Sequence, residues 1–359
     1  YRLFDGIWEL GDDKENPYWI INKNKLQDKM HRFTGAINAN INIFDWWDVS
    51  ARVGYDNYTN DAYTYIAPGG CVGVKYQNGR LNKSDYRYQY ISTNVMTNFH
   101  KTFGDFDLGL MIGTTAESTT RNNQTHWGYN FITEGTISFN NIATENQFFK
   151  DSNIKKRLVG VYGEFRASWK NQLYLTVTGR NDWSSTLPKE NRSYFYPSVS
   201  GSWVFSELIQ KNTAFSYGKI RASWARVGKD TKPYVTNTYL WPVGTFLGGV
   251  TGVGNSWQRG NPYLKPEITE STELGLELRF FKNRLKFDYA YYTNSSYNQI
   301  LTPRLSNGSG YILYSVNAGD VYNKGMELSI SGTPIQTKDW TWETGINLSG
   351  NRGTVGNLL

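Results

Sequence analysis

The 359 residues carry a formal charge of +7, with 16% aromatic side chains (13 Trp and 26 Tyr among them), 19% charged residues and 35 Gly. This is too rich in apolar and aromatic groups for a disordered chain. Mean hydropathy is negative and no run reaches the roughly 18 apolar residues of a membrane-spanning helix, which excludes a helical membrane protein. It leaves open a transmembrane barrel, whose strands alternate lipid-facing and interior side chains. Basic residues are scattered rather than grouped in a block, which argues against nucleic-acid binding. The single cysteine, Cys71, rules out a disulfide framework or a cysteine-rich zinc site within the chain.

Period-two alternation predicts strands, in chain order, over Gly35–Ile43, Val49–Asn57, Gln89–Phe103, Phe106–Thr114, Val159–Trp169, Leu173–Thr178, Tyr194–Phe205 and Tyr217–Val227. Four more follow over Glu273–Phe280, Leu285–Tyr291, Tyr322–Gly332 and Trp340–Gly350. In the fifth, Val159, Val161, Phe165, Ala167 and Trp169 share one face and Tyr162, Glu164, Arg166 and Ser168 the other, a strand with one oily side. Only Lys170, Asn171 and Gln172 separate it from Leu173, Leu175 and Val177, the spacing of a tight hairpin. The total is about twelve strands, most of them near the 9–11 residues of a tilted membrane strand.

Short links at Phe44–Asp48, Gly104–Asp105, Lys170–Gln172, Lys282–Asn283 and Thr333–Asp339 alternate with long ones at 58–88, 115–155, 228–267 and 296–321. Asn181–Ser193 is shorter but occupies a long-link position. Ser206–Ser216 is longer but occupies a short-turn position. If every link reverses an antiparallel strand, the long ones share one end of the sheet, an asymmetry of outer-membrane barrels. Trp46, Trp47, Trp169, Trp183, Trp203, Trp340 and Trp342 fall at or near strand ends, where aromatic girdles would place them. A soluble β-sandwich or propeller also has alternating strands, but gives no reason for either feature.

No catalytic constellation appears. His31, His100 and His126 lack metal-ligand spacing, and there is no phosphate loop, GxGxxG or nucleophile elbow; the chain is expected not to be an enzyme. Two acidic groups, Asp12, Asp13 and Glu15, and Asp56, Asn57 and Asp61, offer oxygen ligands for loop-bound calcium without fitting an EF-hand. Glu164, Arg166, Glu273, Glu277, Arg279, Lys286, Asp288, Glu327 and Glu343 sit mid-strand opposite apolar faces. They are expected to line a watery interior, where cross-strand opposite charges hold a wall together.

The segments LVGVYGEFRASWKNQLYLTVTGRNDWSSTLPKENRSYFYPSVSGSWVFSE, KIRASWARVGKD, NPYLKPEITESTELGLELRFFKNRLKFDYAYYTNSS and NAGDVYNKGMELSISGTPI resemble the barrel of SusC/RagA-type TonB-dependent transporters. The early NPYWIINKNKLQDKMHRFTGAINANINIFDWWDVSARVGYDNY is similar to its mid-barrel. The resemblance implies an all-β chain that is part of a 22-stranded antiparallel transmembrane β-barrel in the outer membrane. Residues 1–359 would be a fragment of that barrel domain, with the N-terminal plug, the TonB box and the final strands outside it. It further implies import of a bulky glycan or oligopeptide, a SusD-like surface lipoprotein, the TonB complex acting through the plug, surrounding lipid and lipopolysaccharide, and dimers of transporter–lipoprotein pairs. Asn181–Ser193 would be an extracellular loop and Ser206–Ser216 a periplasmic connection with some helical character. Trp127, Tyr129, Tyr239, Trp241, Trp257 and Tyr263, read as loop residues, would stack on sugar faces or grip a peptide. A surface glycan-binding module without transport, and a siderophore or cobalamin receptor, are the rival readings.

Overall fold

The structure, a computed structural model, describes residues 17–69, 78–209, 214–245 and 249–357; the acidic group Asp12, Asp13 and Glu15, and Cys71, lie outside them. A short helix α1 (Pro17–Lys23) precedes β1 (Lys25–Phe44), β2 (Trp47–Ile66), β3 (Arg80–Phe103), β4 (Phe106–Tyr129) and β5 (Gln147–Trp169). Then come β6 (Leu173–Ser184), β7 (Ser193–Trp203), β8 (Phe215–Lys229), β9 (Leu240–Thr245), β10 (Thr251–Asn255) and β11 (Gln258–Arg259). The series ends with β12 (Glu267–Phe280), β13 (Leu285–Tyr297), β14 (Ile300–Leu301), β15 (Leu313–Tyr314), β16 (Val316–Asn317), β17 (Asp320–Gln336) and β18 (Thr341–Gly356).

Twelve strands form one sheet in the order β1-β2-β3-β4-β5-β6-β7-β8-β12-β13-β17-β18, and the six short strands pair among themselves inside the long links. Each strand predicted from alternation corresponds to one strand of this sheet. Their extents differ, however: β1, β2, β3, β4 and β5 continue far past the alternating stretch. The links read as 58–88 and 115–155 shrink to residues 67–79 and 130–146. Much of these extensions is polar or aromatic on both faces, as in Tyr58–Thr59–Asn60–Asp61 of β2 and Thr119–Thr120–Arg121–Asn122–Asn123 of β4. A strand without an apolar partner on either side has no reason to alternate, so periodicity does not detect it.

The residues group into two compact units, Tyr1–Ile37 with Val53–Thr93 and Glu117–Lys156, and Asn38–Arg52 with Asn94–Ala116 and Arg157–Leu359. In the first, Tyr65, Ala67, Leu81 and Ile142 form a small buried cluster beside the links that follow β2 and β4. In the second, Leu187, Tyr194 and Leu264 form another where long links meet. Along the strands of the second unit the apolar face is open: Val159, Phe165, Leu175, Val177, Val199, Ile220, Leu274 and Ile346 are all exposed. A water-soluble sandwich buries such a face; here, among the described residues, it is a band with no sheet or helix layer packed on it, as a lipid-facing wall requires.

Short turns carry residues suited to reversal. Lys170 and Asn171 take φ of 52° and 55° between β5 and β6, the paired left-handed conformation of a tight hairpin. The link after β7 holds a 3₁₀ turn over Phe205–Leu208, matching the helical character expected there. Most of the tryptophans named from sequence gather at the short-turn end. Trp46, Trp47 and Phe44 stack with ring centroids 5.5–6.2 Å apart, and Phe106 lies 6.5 Å from Trp169.

Register is pinned on the polar face as well. Arg221 of β8 sits opposite Gly275 of β12, and a Cβ there would run into its guanidinium. The missing side chain lets Arg221 lie flat across β12 and reach Asp288 on β13, with N–O distances of 2.9 and 3.2 Å. A valine at Gly275 should break this bridge and cost about 1–2 kcal/mol, the range of a charged hydrogen bond discounted for solvent screening. A denaturation double-mutant cycle of Gly275→Val with Asp288→Asn in the full-length protein checks it; strict additivity would show that Arg221 does not couple the two. The two faces should also differ in tolerance. Val177→Arg, mid-strand on the apolar face, should cost about 2–4 kcal/mol for folding into lipid vesicles, and Thr176→Arg on the polar face about 1 kcal/mol or less.

Candidate functional site

The polar face of β5, β6, β7, β8, β12 and β13 carries a ladder of charge. Glu277 lies directly across from Asp288, a like-charge pair that is destabilising unless cations answer it. Lys219 reaches Glu277 at 2.9 Å, Arg279 reaches the same carboxylate at 2.6 Å, and Arg221 spans Glu273 at 3.3 Å and Asp288 at 2.9 Å. Higher on the same face, Lys229 lies 3.1 Å from Glu267, while Arg226 and Glu270, 3.6 Å apart, pair in the opposite phase of the two strands. Glu164 and Arg166 of β5 pair with each other at 2.8 Å.

Every wall residue named from sequence is therefore placed on a strand, and six of them, Glu164, Arg166, Glu273, Glu277, Arg279 and Asp288, are in ion pairs on this face. Glu327 is exposed on β17, while Lys286 and Glu343 line a cavity of about 330 Å³ with Arg284. A second cavity of about 280 Å³ is lined by Tyr174, Thr176, Ser202, Lys219, Arg221 and Glu273. Sequence reading missed Lys219 and Arg221, although both occupy the polar phase of a strand whose other phase is Ile220 and Trp224.

A second cluster stands near the long-link end of the same face. Arg180 donates to Asp182 at 2.8 Å and to the Thr115 hydroxyl at 3.0 Å, and the Tyr196 hydroxyl donates to Asp182. Arg180 also stacks 5.5 Å from the Tyr162 ring. Ser184 donates to Asp230 at 2.5 Å. A Cβ at Gly160 would collide with Asp182 and Arg180, so glycine in β5 makes room for the pair. These residues hold one another rather than presenting an activated nucleophile or base.

The aromatic candidates divide. Trp127 and Tyr129 are not loop residues: both lie on β4, each stacked on Phe148 of β5 at 5.6 and 5.7 Å, and the strand extension described above is the reason. Trp241 lies on β9, its indole N–H donating to the Asn255 carbonyl at 2.7 Å across the β9–β10 hairpin. Tyr239 precedes that strand; Trp257 and Tyr263 stand in the link and are 68% and 79% exposed.

That link is stitched to its neighbours. β11 pairs in parallel with β15, the Asn261 amide donates to the Ser315 carbonyl at 2.9 Å, and the Asn191 amide donates to the Leu264 carbonyl at 3.1 Å. Asn317 exchanges hydrogen bonds with the backbone of Lys265 at 2.8 Å. Arg259 lies over Tyr314 at 5.4 Å and Tyr311 at 6.0 Å. The exposed rings thus stand on an ordered platform. Arg259, Tyr311 and Tyr314 carried no sequence signal, because short strand pairs inside a long link have too few residues to show a period.

The acidic group on β2 is dispersed by its strand. Asp56 accepts a bidentate bond from Arg32 at 2.8 and 2.9 Å and another from Thr34 at 3.0 Å, and Asn57 donates to the Tyr88 carbonyl at 3.1 Å from the opposite side of the strand. Among the described residues no three His, Cys, Asp or Glu side chains gather as a metal site. His126 stacks on Phe139 at 3.6 Å and hydrogen-bonds Gln147 at 3.1 Å.

The family described as TonB dependent receptor-like, beta-barrel matches residues 2–356. TonB-dependent receptor P26 of Formosa agariphila is 24% identical over 99% of this chain and 36% of its own length. TonB-dependent receptor SusC of Bacteroides thetaiotaomicron is 26% identical over 84% of this chain and 30% of its own. The chain thus spans about a third of the curated relatives it matches. Among solved structures, the RagAB peptide transporter superposes with a TM-score of 0.89 at 20% identity, over 99% of this chain and 40% of that one. The siderophore receptor PirA of Acinetobacter baumannii gives 0.56 at 16% identity, over 90% and 44%. This chain belongs to the TonB-dependent receptor β-barrel family, a family of outer-membrane receptors rather than enzymes, and its twelve-stranded sheet is part of that barrel.

Proposed function

We propose that this chain is wall and extracellular loop of an outer-membrane importer driven by TonB, taking up a bulky glycan or oligopeptide with a SusD-like surface lipoprotein. The observation that carries the reading is the two-faced sheet: an open apolar band on one side, and on the other a ladder of paired charges with no catalytic grouping. Such a wall separates lipid from a watery lumen, which gives Glu164, Arg166, Glu273, Glu277, Arg279, Lys286, Asp288, Glu327 and Glu343 an interior position. The likeness to SusC and to the RagAB peptide transporter supports a bulky cargo over a siderophore, whose receptor PirA superposes less well. Lipid and lipopolysaccharide surround the wall, and pairs of transporter and lipoprotein assemble as dimers on this reading.

Cargo capture falls to the exposed rings of the long links, Tyr239, Trp241, Trp257 and Tyr263, whose flat faces suit sugar rings or peptide planes. Trp127 and Tyr129, committed to Phe148, bear on cargo only through the wall they stabilise.

Two outcomes follow. Uptake of labelled oligosaccharide or oligopeptide by cells carrying the full-length protein should vanish when TonB is deleted or the proton gradient collapsed; undiminished uptake would sink the importer reading. Trp257→Ala together with Tyr263→Ala in the purified full-length protein should weaken cargo binding about tenfold, roughly 1.4 kcal/mol, by calorimetric titration. An unchanged affinity would move recognition away from this link.

A further inference from the structure

The link between β7 and β8, expected to be a periplasmic connection with some helical character, carries its 3₁₀ turn back against the open apolar face. Phe205 stacks on Phe215 at 6.1 Å and meets Trp203 edge-on at 6.0 Å, and Phe215 meets Phe280 edge-on at 5.7 Å. Phe205 lies over Gly218, where a Cβ would collide with its ring. Gly218 shares its face with Ile220 and Trp224, and pairs with Leu278 of β12, so the Phe205 ring is on the apolar side. The turn is held rather than loose: the Val204 N–H donates to the Gln172 carbonyl at 2.8 Å and the Ile209 N–H to the Ser206 carbonyl at 3.3 Å, with Ser206 fully buried. Yet Leu208 is 67% exposed and Ile209 48%.

Two adjacent aliphatic side chains displayed by an ordered turn call for an apolar covering. Their position says which one. They follow directly on the aromatic arc Trp203–Phe205–Phe215–Phe280 at the short-turn end, where the Phe205 ring lies on the face of the open band. Trp169 and Lys170 mark the same end on β5, the ammonium lying 5.0 Å from the indole. Rings and lysines at strand ends are the signature of a membrane interface.

We propose that this link is a lipid-surface anchor, in which Phe205, Leu208 and Ile209 enter the boundary between acyl chains and headgroups of the periplasmic leaflet. It rests on the reading of the open face as a lipid-facing wall. Like other in-plane elements it gains from burying apolar area a short way into the interface, and it ties the longest short-side link to the bilayer.

The full-length protein, with its other cysteines replaced, would carry a bimane label at Leu208→Cys, at Val199→Cys in the apolar band, or at Asn171→Cys on the neighbouring hairpin turn. Each would be reconstituted in phosphatidylcholine–phosphatidylglycerol vesicles and quenched by doxyl lipids or by aqueous iodide. The Leu208 label should be quenched by shallow doxyl groups and be about fivefold less open to iodide than the Asn171 label, while the Val199 label responds to deep doxyl groups. A lipid-quenched Val199 with a Leu208 label as open to iodide as Asn171 overturns the anchor and keeps the wall. Protection of Leu208 from both quenchers also overturns it, by showing a protein cover. If Val199 meets no lipid, the wall reading itself fails.

Discussion

A strand that crosses hydrocarbon must satisfy every backbone N–H and C=O from its neighbours, since lipid offers no alternative partner and each orphan costs several kcal/mol. The sheet order follows from this. The large strands pair with their neighbours in sequence, except where β8 is followed by β12 and β13 by β17 because the intervening short strands pair among themselves. Reversals on one side can then be tight, as in the left-handed Lys170–Asn171 pair. The same demand falls on β1 and β18, each with one neighbour in the order. Each needs a further strand beside it to lie in lipid, and the relatives, about three times as long, have the chain for it.

With pairing settled by the backbone, side chains decide register, and a slip of one residue would turn the apolar band inward. The polar face resists such a slip. Arg221 bridges β12 and β13 only because Gly275 lies between, and Lys219 meets Glu277 because the two face each other across β8 and β12. These pairs are partly open to solvent, so each contributes modestly; their worth is in discriminating one alignment from the next. That accounts for charge in mid-strand without invoking catalysis.

Legibility in the sequence tracks asymmetry of environment. Where lipid lies on one side and water on the other, alternation appears, and each of the twelve sheet strands announced itself, Leu173–Leu175–Val177 most plainly. Where both faces carry polar or aromatic residues, as in Tyr58–Thr59–Asn60–Asp61 of β2, the signal disappears although the sheet continues. Trp127 and Tyr129 were placed in a loop for that reason. The polar wall was half legible: Glu273 and Glu277 stood out, but Arg221 could be recognised only once Gly275 was known to sit beneath it. The β7–β8 link was read correctly as partly helical, yet nothing in its sequence told which face it would fold upon. That is decided by the space above Gly218.

The division of the aromatic candidates bears on where specificity resides. Wall residues answer to constraints that any cargo shares, an apolar band on one face and a paired strand on each side. Trp127 and Tyr129 fall under those constraints through Phe148. Trp257 and Tyr263 do not: their backbones are fixed by bonds to Ile312, Leu313 and Asn191, while their rings face solvent. A ring held at its base and free at its face can be exchanged without disturbing the sheet. On the proposed importer reading, a change of cargo would therefore be cheapest in the links of 230–266 and 298–319, whose exposed rings can change without touching the charge ladder.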